Sequence, residues 1–300
     1  MPELPEVETI RKDLSRKIIN KKIKDVVVKK PRLIKGSKKK FINVLKESAF
    51  KKIDRWGKLL IIHLKKDGFL LIHLKMTGQL IYQKDKHVIA GGHGQLKIDE
   101  LPNKFSHIIF TFSDKSQLFF NDMRQFGYMK IVDKQELEKV LANYGVEPLD
   151  KNFTLKTFKK VLQNPTTLKL RRTSPAIKFW KTNIKSLLLN QKLIAGIGNI
   201  YADEICFYAK VKPSRKVSTL NEEEIRKLYQ GSKQILKTAI KKRGTTFNNY
   251  RDTGGNKGSF ISFLKVYGRA KEKCKRCQIG VIKKIKQGGR GTHYCDKCQK

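Results

Sequence analysis

The stretch PELPEVETIRKDLSRKI, residues 2–18, sets a proline directly after Met1 and then repeats apolar residues at helical intervals. Leu4, Val7, Ile10, Leu14 and Ile18 recur every three or four positions, which predicts an amphipathic helix that tolerates Pro5 in its first turn. Glu3 and Glu6 are neighbours at i,i+3 on that helix, and Glu8 points elsewhere. From about 20 to 135 the period shortens. IKDVVV, LLIIHL, FLLIHLKM, HIIFTF and QLFF read as short strands rich in β-branched and aromatic residues, separated by Gly, Asp and Lys turns. A β-sandwich or barrel carrying the N-terminal helix follows. Within it KKPRLIKGSKKK, residues 29–40, reads as a basic loop. From about 151 to 245 the spacing turns helical, in TLKTFKKVLQ, the Ile184 to Leu189 run, ADEICFYAK and EEEIRKLYQGSKQILKTAI, with a boundary near Glu147 and Pro148.

The 300 residues suit about two domains, and 67 Lys and Arg against 26 Asp and Glu give a net charge of +41. That balance is the footprint of a polyanion partner. No apolar run approaches the roughly 18 residues that span a bilayer, and the N-terminus reaches charged residues too soon for a signal peptide. The reading is a cytoplasmic, nucleic-acid-binding chain with no membrane partner.

Chemistry enters at Pro2. A small second residue permits removal of Met1, which would leave Pro2 with a secondary amine at the terminus. An α-amino group titrates at roughly 7.7 to 8.0, and a helix N-terminus disfavours the ammonium further. Attack on a masked aldehyde gives an iminium of the Schiff-base type, an electron sink for elimination. Glu3 and Glu6 can divide into acid and base. Acidic residues in a first turn also complement the helix dipole, and these residues alone leave both readings open.

Two further signals follow. In AGIGN the glycines Gly196 and Gly198 interrupt the helical pattern, giving a turn that aims backbone N–H groups at a phosphate, with Asn199 as phosphate ligand or plain helix cap. Cys274, Cys277, Cys295 and Cys298 form CxxC, a long gap and CxxC, the spacing of a closed structural zinc site between two knuckles. Cys206 reads as a buried spectator. Basic residues Lys275, Arg276, Lys283, Lys284, Lys286 and Arg290 crowd this ribbon, which suits a grip on DNA.

Together PELPEVET, WGKLL, LKMTG, DMRQFG, NQKLIAGIGNIYADE, GTTF, FLKVYGR and the ribbon ending CDKCQK resemble the formamidopyrimidine-DNA glycosylase family over essentially the whole chain. The resemblance implies an α+β multidomain fold. Residues 1–135 would form an N-terminal β-sandwich with the catalytic helix, and 136–150 a linker. A helix-two-turn-helix domain would span 151–260, including a lesion-capping loop at about 244–260, and a four-cysteine zinc ribbon 261–300. It also implies a monomer acting on double-stranded DNA held in the cleft between domains, with one structural zinc and no organic cofactor. The implied activity is excision of 8-oxoguanine and formamidopyrimidines, then β,δ-elimination at the abasic site. Carried over position by position, Pro2 is the nucleophile, Glu3 the acid at the sugar ring oxygen, Glu6 the support of the nucleophile and its proton traffic, and Lys58 a phosphate ligand beside the lesion. His73, Arg124, Asn199 and Arg269 hold the kinked backbone, and Met76, Arg124 and Phe126 enter the gap left by the extruded base. Read without the family, Met76 and Phe126 are core strand residues, His73 a core histidine and Lys58 a surface lysine. The chain departs from the family pattern at Asn190, Lys271 and Lys273, and between Asn164 and Lys181, where it is longer. The rival readings are an oxidised-pyrimidine glycosylase of the same superfamily and a non-catalytic zinc-ribbon protein that binds DNA.

Overall fold

The computed structural model describes residues 1–85, 87–92, 101–163, 182–245 and 260–300. The long segment between Asn164 and Lys181 and most of the 244–260 loop fall outside these residues. The described chain divides into two compact units, one of Met1–Val140 with Ile240–Ile261, the other of Leu141–Ala239 with Ser262–Lys300.

In the first unit α1 (Leu4–Ile18) precedes β1 (Ile23–Val28), α2 (Lys38–Leu45), β2 (Phe50–Trp56), β3 (Leu59–Leu64), β4 (Phe69–His73), β5 (Gly78–Lys84), β6 (His87–Gly92), β7 (Ser106–Phe112), β8 (Gln117–Asp122), β9 (Tyr128–Val132) and α3 (Lys134–Leu141). Among the described residues the strands form two antiparallel sheets, in the orders β1-β7-β8-β5-β6 and β2-β3-β4-β9. The inner faces follow the two-residue period. Phe110 stands opposite Leu118 and Ile108 opposite Phe120 in one sheet, Leu60 opposite Ile72 and Ile62 opposite Leu70 in the other, and all belong to one core. Val7, Ile10, Leu14 and Ile18 of α1 enter the same core, which is why their stripe is so regular. Phe50 of β2 meets Phe110 and Phe112 of β7 edge to face at 5.9 and 6.1 Å, joining the two sheets by aromatic contact.

The basic stretch 29–40 is only partly a loop. Lys38–Lys40 open α2, whose first turn is capped by Ser37 Oγ accepting from Lys40 N.

The second unit holds α4 (Leu155–Gln163), α5 (Ile184–Leu189), α6 (Asn199–Tyr208), α7 (Glu222–Lys241), which runs two residues beyond it, and the hairpin β10 (Ile282–Gln287) and β11 (Arg290–Cys295). Residues 136–150, expected as a linker, are structured. The helix α3 covers their start, and Val146 pairs with Ile194 as Gly145 N donates to Gln191 O and Ala195 N to Val146 O. Among the described residues no helix is long and apolar enough to cross a membrane.

Truncating the aromatic that links the sheets tests the sandwich core. Phe50→Ala is expected to lower unfolding free energy by about 3–5 kcal/mol, measured by urea titration.

Candidate active site and metal centre

At the chain terminus Glu3 is the N-cap of α1, and its N–H donates to Glu6 Oε2 at 2.9 Å, closing one arm of a capping box. The other oxygen of Glu6 accepts from Thr245 N at 2.8 Å and from Thr245 Oγ1 at 3.1 Å. Both glutamates are 2% exposed. Gly244, at φ +80°, leaves no room for a side chain, since a Cβ there would lie 2.6 Å from Glu6 Oε1. Next to it Arg243 pairs with Asp13 at 2.6 Å, so two acids of α1 hold residues 243–245. Glu8 does point elsewhere, to Arg11 and Arg55.

Met1 itself is 39% exposed, and its terminal amine is only partly withdrawn from water. Burial lowers its pKa below the ordinary value; Glu3 and Glu6 oppose that shift, and Lys58 and Arg124 add to it. Pro2 is buried beside it, and with Met1 attached its nitrogen is an amide without a nucleophilic lone pair. Lys58, set just after the turn residue Gly57, is 4% exposed rather than a surface lysine. It acts electrostatically on both the terminal amine and the His73 ring.

His73 closes β4 and is 8% exposed. Its Nδ1 accepts from Lys75 N at 3.0 Å, which puts the proton of the neutral ring on Nε2. Burial, with the charges of Lys75 and Lys58, pushes its pKa down to about 3. The ring is therefore a fixed neutral donor at physiological pH.

Met76 and Phe126 correct the core-strand reading. They lie past the ends of β4 and β8, 39% and 54% exposed, where the alternation of a strand no longer applies. Exposed Arg124 stacks its guanidinium 4.9 Å from the Phe126 ring centroid. Gly127 ends this loop, and a Cβ there would meet Phe120, the Asp122 carboxylate and the His73 carbonyl within 3.1 Å.

In the second unit Gly198, not Asn199, is the N-cap of α6. Asn199 is the first helical residue, and its Nδ2 donates to Gly291 O at 3.0 Å on the zinc hairpin. The turn is knotted by Gln191, which sequence reasoning missed: it donates to Leu189 O and Ile197 O and accepts from Gly196 N. Lys185, 1% exposed, donates to Asp203, Thr292 and Gly291 O. Arg269 is bound to Glu272 and to the carbonyls of Lys265 and Lys273, on a segment whose amides at Lys265, Val266 and Tyr267 all donate to buried Glu204. Lys271, one of the positions that depart from the family pattern, adopts φ +72°, a conformation glycine takes most easily.

The four cysteine sulfurs lie within 4.8 Å of one another, with Cys274 to Cys298 at 3.7 Å and Cys277 to Cys295 at 3.8 Å. Zn–S bonds of about 2.3 Å in a tetrahedron require sulfurs about 3.8 Å apart. Amides of Arg276, Gly280 and Cys298 donate to Cys274, Cys277 and Cys295, as thiolate ligands require. The residues fit one structural zinc. Among the described residues the apolar core around the cysteines adds only Phe207, Val266 and Ile282, too little to fold without the metal. Arg276 is committed within the unit, 3.9 Å from the Phe207 ring centroid. Cys206 is fully buried, and burial raises its thiol pKa, as for a spectator.

Three family models match in chain order: the formamidopyrimidine-DNA glycosylase N-terminal domain over residues 1–129, its H2TH domain over 144–250, and a zinc finger found in FPG and IleRS over 271–300. These modules define a DNA glycosylase of base-excision repair that acts on damaged purines. Formamidopyrimidine-DNA glycosylases of Pelotomaculum thermopropionicum and Streptococcus mutans are 39% and 37% identical, each over all of this chain and at least 99% of the relative. Among solved structures, the Lactococcus lactis enzyme in complex with abasic-site DNA superposes with TM-score 0.84 at 32% identity, covering 99% of both chains. A variant of it with Fapy-dG containing DNA gives 0.83 at 31%, covering both chains fully. The chain belongs to the formamidopyrimidine-DNA glycosylase family.

Two outcomes follow from these centres. Because the His73 pKa is about 3 in the folded state against about 6.5 unfolded, the unfolded state binds a proton first as pH falls. Stability from this group is complete above pH 6.5 and falls by about 1.4 kcal/mol per unit below it. Urea titrations at pH 7, 6 and 5 should show this slope, and His73→Gln should flatten it. A strong chelator should release one zinc per chain and abolish hydrogen-exchange protection across β10 and β11; retained protection would contradict a metal-dependent fold.

Proposed function

We propose that the chain, once Met1 is removed, excises oxidised purines, 8-oxoguanine and formamidopyrimidines, from double-stranded DNA and then cleaves the abasic strand. The observation that carries this reading is the chain terminus: an amine on an exposed Met1, beside buried Glu3 and Glu6 and within reach of the charges of Lys58 and Arg124, with its pKa lowered chiefly by partial desolvation. Pro2, freed as a secondary amine, attacks C1′. The glycosidic bond breaks and its electron pair leaves with the base, while Glu3 protonates the ring oxygen so that the sugar opens to an iminium. Loss of a proton from C2′ then expels the 3′ phosphate, and a second elimination expels the 5′ phosphate. Glu6, fixed by Thr245 and the Glu3 amide, supports the nucleophile and its proton traffic. Lys58, neutral His73, Arg124, Asn199 and Arg269 hold phosphates, and Met76, Arg124 and Phe126 fill the gap of the extruded nucleotide. The zinc ribbon, spanning 261–300, grips the duplex. The net charge of +41 suits such a partner, and the enzyme acts as a monomer on DNA in the cytoplasm.

Borohydride reduction tests this chemistry, because it fixes an iminium as a covalent adduct. Protein beginning at Pro2 should be trapped on duplex carrying 8-oxoguanine or an abasic site. Retention of Met1, or Pro2→Gly, should greatly reduce the yield. Absence of any adduct from correctly processed protein would overturn the reading, and preference for thymine glycol over 8-oxoguanine opposite cytosine would overturn the substrate class.

A further inference from the structure

Met76, Arg124 and Phe126 are exposed, so packing does not hold their side chains, and whatever stiffens them must act through the backbone beneath. They stand on two separate connections, residues 74–77 after β4 and 123–127 after β8. One fully buried carboxylate joins the two. Asp122, 0% exposed, accepts from Thr77 Oγ1 through Oδ1 and from Gly127 N through Oδ2 at 2.7 Å. Thr77 Oγ1 in turn accepts from Arg124 N at 2.9 Å. The Asp122 carbonyl accepts from buried His107 at 2.9 Å, and its backbone is paired opposite Gly78.

We infer that Asp122 is a positioning residue: acting through Thr77 and Gly127, it locks the Met76 and Arg124–Phe126 loops into one rigid wedge for insertion into the base stack. This role rests on the proposed function. Unstacking costs a few kcal/mol per step, and a wedge whose two loops slide past each other yields before the stack does. The carboxylate suits the task because it offers acceptors on both sides and no competing donor. Thr77 serves as a relay because one hydroxyl both donates to Asp122 and accepts from Arg124 N. Serine can do the same, and valine cannot. The letters flanking the wedge in LKMTG and DMRQFG thereby gain a physical role.

The test compares two substrates on intact, zinc-loaded protein beginning at Pro2. Excision of 8-oxoguanine from duplex requires extrusion of a stacked base. Strand cleavage at a preformed abasic site does not, yet it uses the same nucleophile and the proposed phosphate contacts of Lys58, His73, Asn199 and Arg269, all outside residues 74–77 and 123–127. Asp122→Asn and Thr77→Val should lower single-turnover excision at least tenfold while leaving abasic cleavage within about twofold of wild type, and Thr77→Ser should restore excision. Thr77 is only partly buried, so its variants keep the test open if those of Asp122 misfold. Hydrogen exchange at the Arg124 and Gly127 amides should quicken in Asp122→Asn, independently of activity. Unchanged excision in Thr77→Val, or equal losses on both substrates, would overturn the inference while leaving the proposed function standing. A wild-type chain inactive on both substrates would remove the function and the wedge together.

Discussion

A carboxylate removed from water must be met by hydrogen-bond donors, and in this chain the buried acids are met largely by backbone amides. Glu6 takes the amides of Glu3 and Thr245, Asp122 that of Gly127, Asp203 that of His293, and Glu204 those of Lys265, Val266 and Tyr267. Each acid fixes a segment that carries a functional side chain or a metal ligand's neighbour. With only 26 acids among 300 residues, their concentration at such joints is a matter of placement. An amide held by a charged acceptor is a short, directional tether, roughly twice as strong as a neutral hydrogen bond. The cations are left largely to the surface, where a polyanion can meet them.

The same constraint separates positioning from chemistry around the chain terminus. Glu6 has one oxygen on the start of its own helix and the other on Thr245, so its carboxyl group cannot swing without breaking contacts 239 residues apart in sequence. His73 is held neutral by burial and in one tautomer by Lys75 N, so it offers a donor without a titrating charge. Lys58 is buried where its charge reaches the terminal amine and the His73 ring. The directions of Glu6 and His73 are thus set by hydrogen bonds within the protein, which is the condition under which electrostatic stabilisation is most effective.

What the sequence made legible follows from periodicity and spacing. The stripe from Val7 to Ile18 is regular because every member enters one core, and the cysteine pairs are regular because the metal geometry demands it. The start of α2 was hidden by lysines that read as loop, although Ser37 ahead of Phe41 and Leu45 was a visible cap signal. Met76 and Phe126 could not be placed from pattern, since apolar residues one turn past a strand look like its continuation. Neither could Lys58, Lys185 or Asp122: the burial of a charged side chain depends on partners that lie far away in sequence.

The first compact unit is discontinuous, built from the first 140 residues and from 240–261. A ribosome therefore delivers both sheets and the whole of α1 well before it delivers Thr245. At bacterial elongation rates of roughly 5–20 residues per second, the intervening stretch takes on the order of 5–20 s to make. During that interval the acceptor on Glu6 that later receives Thr245 is left to solvent. The N-terminal helix is therefore capped within itself from the start and tied to residues 243–245 only when the chain returns to the first unit.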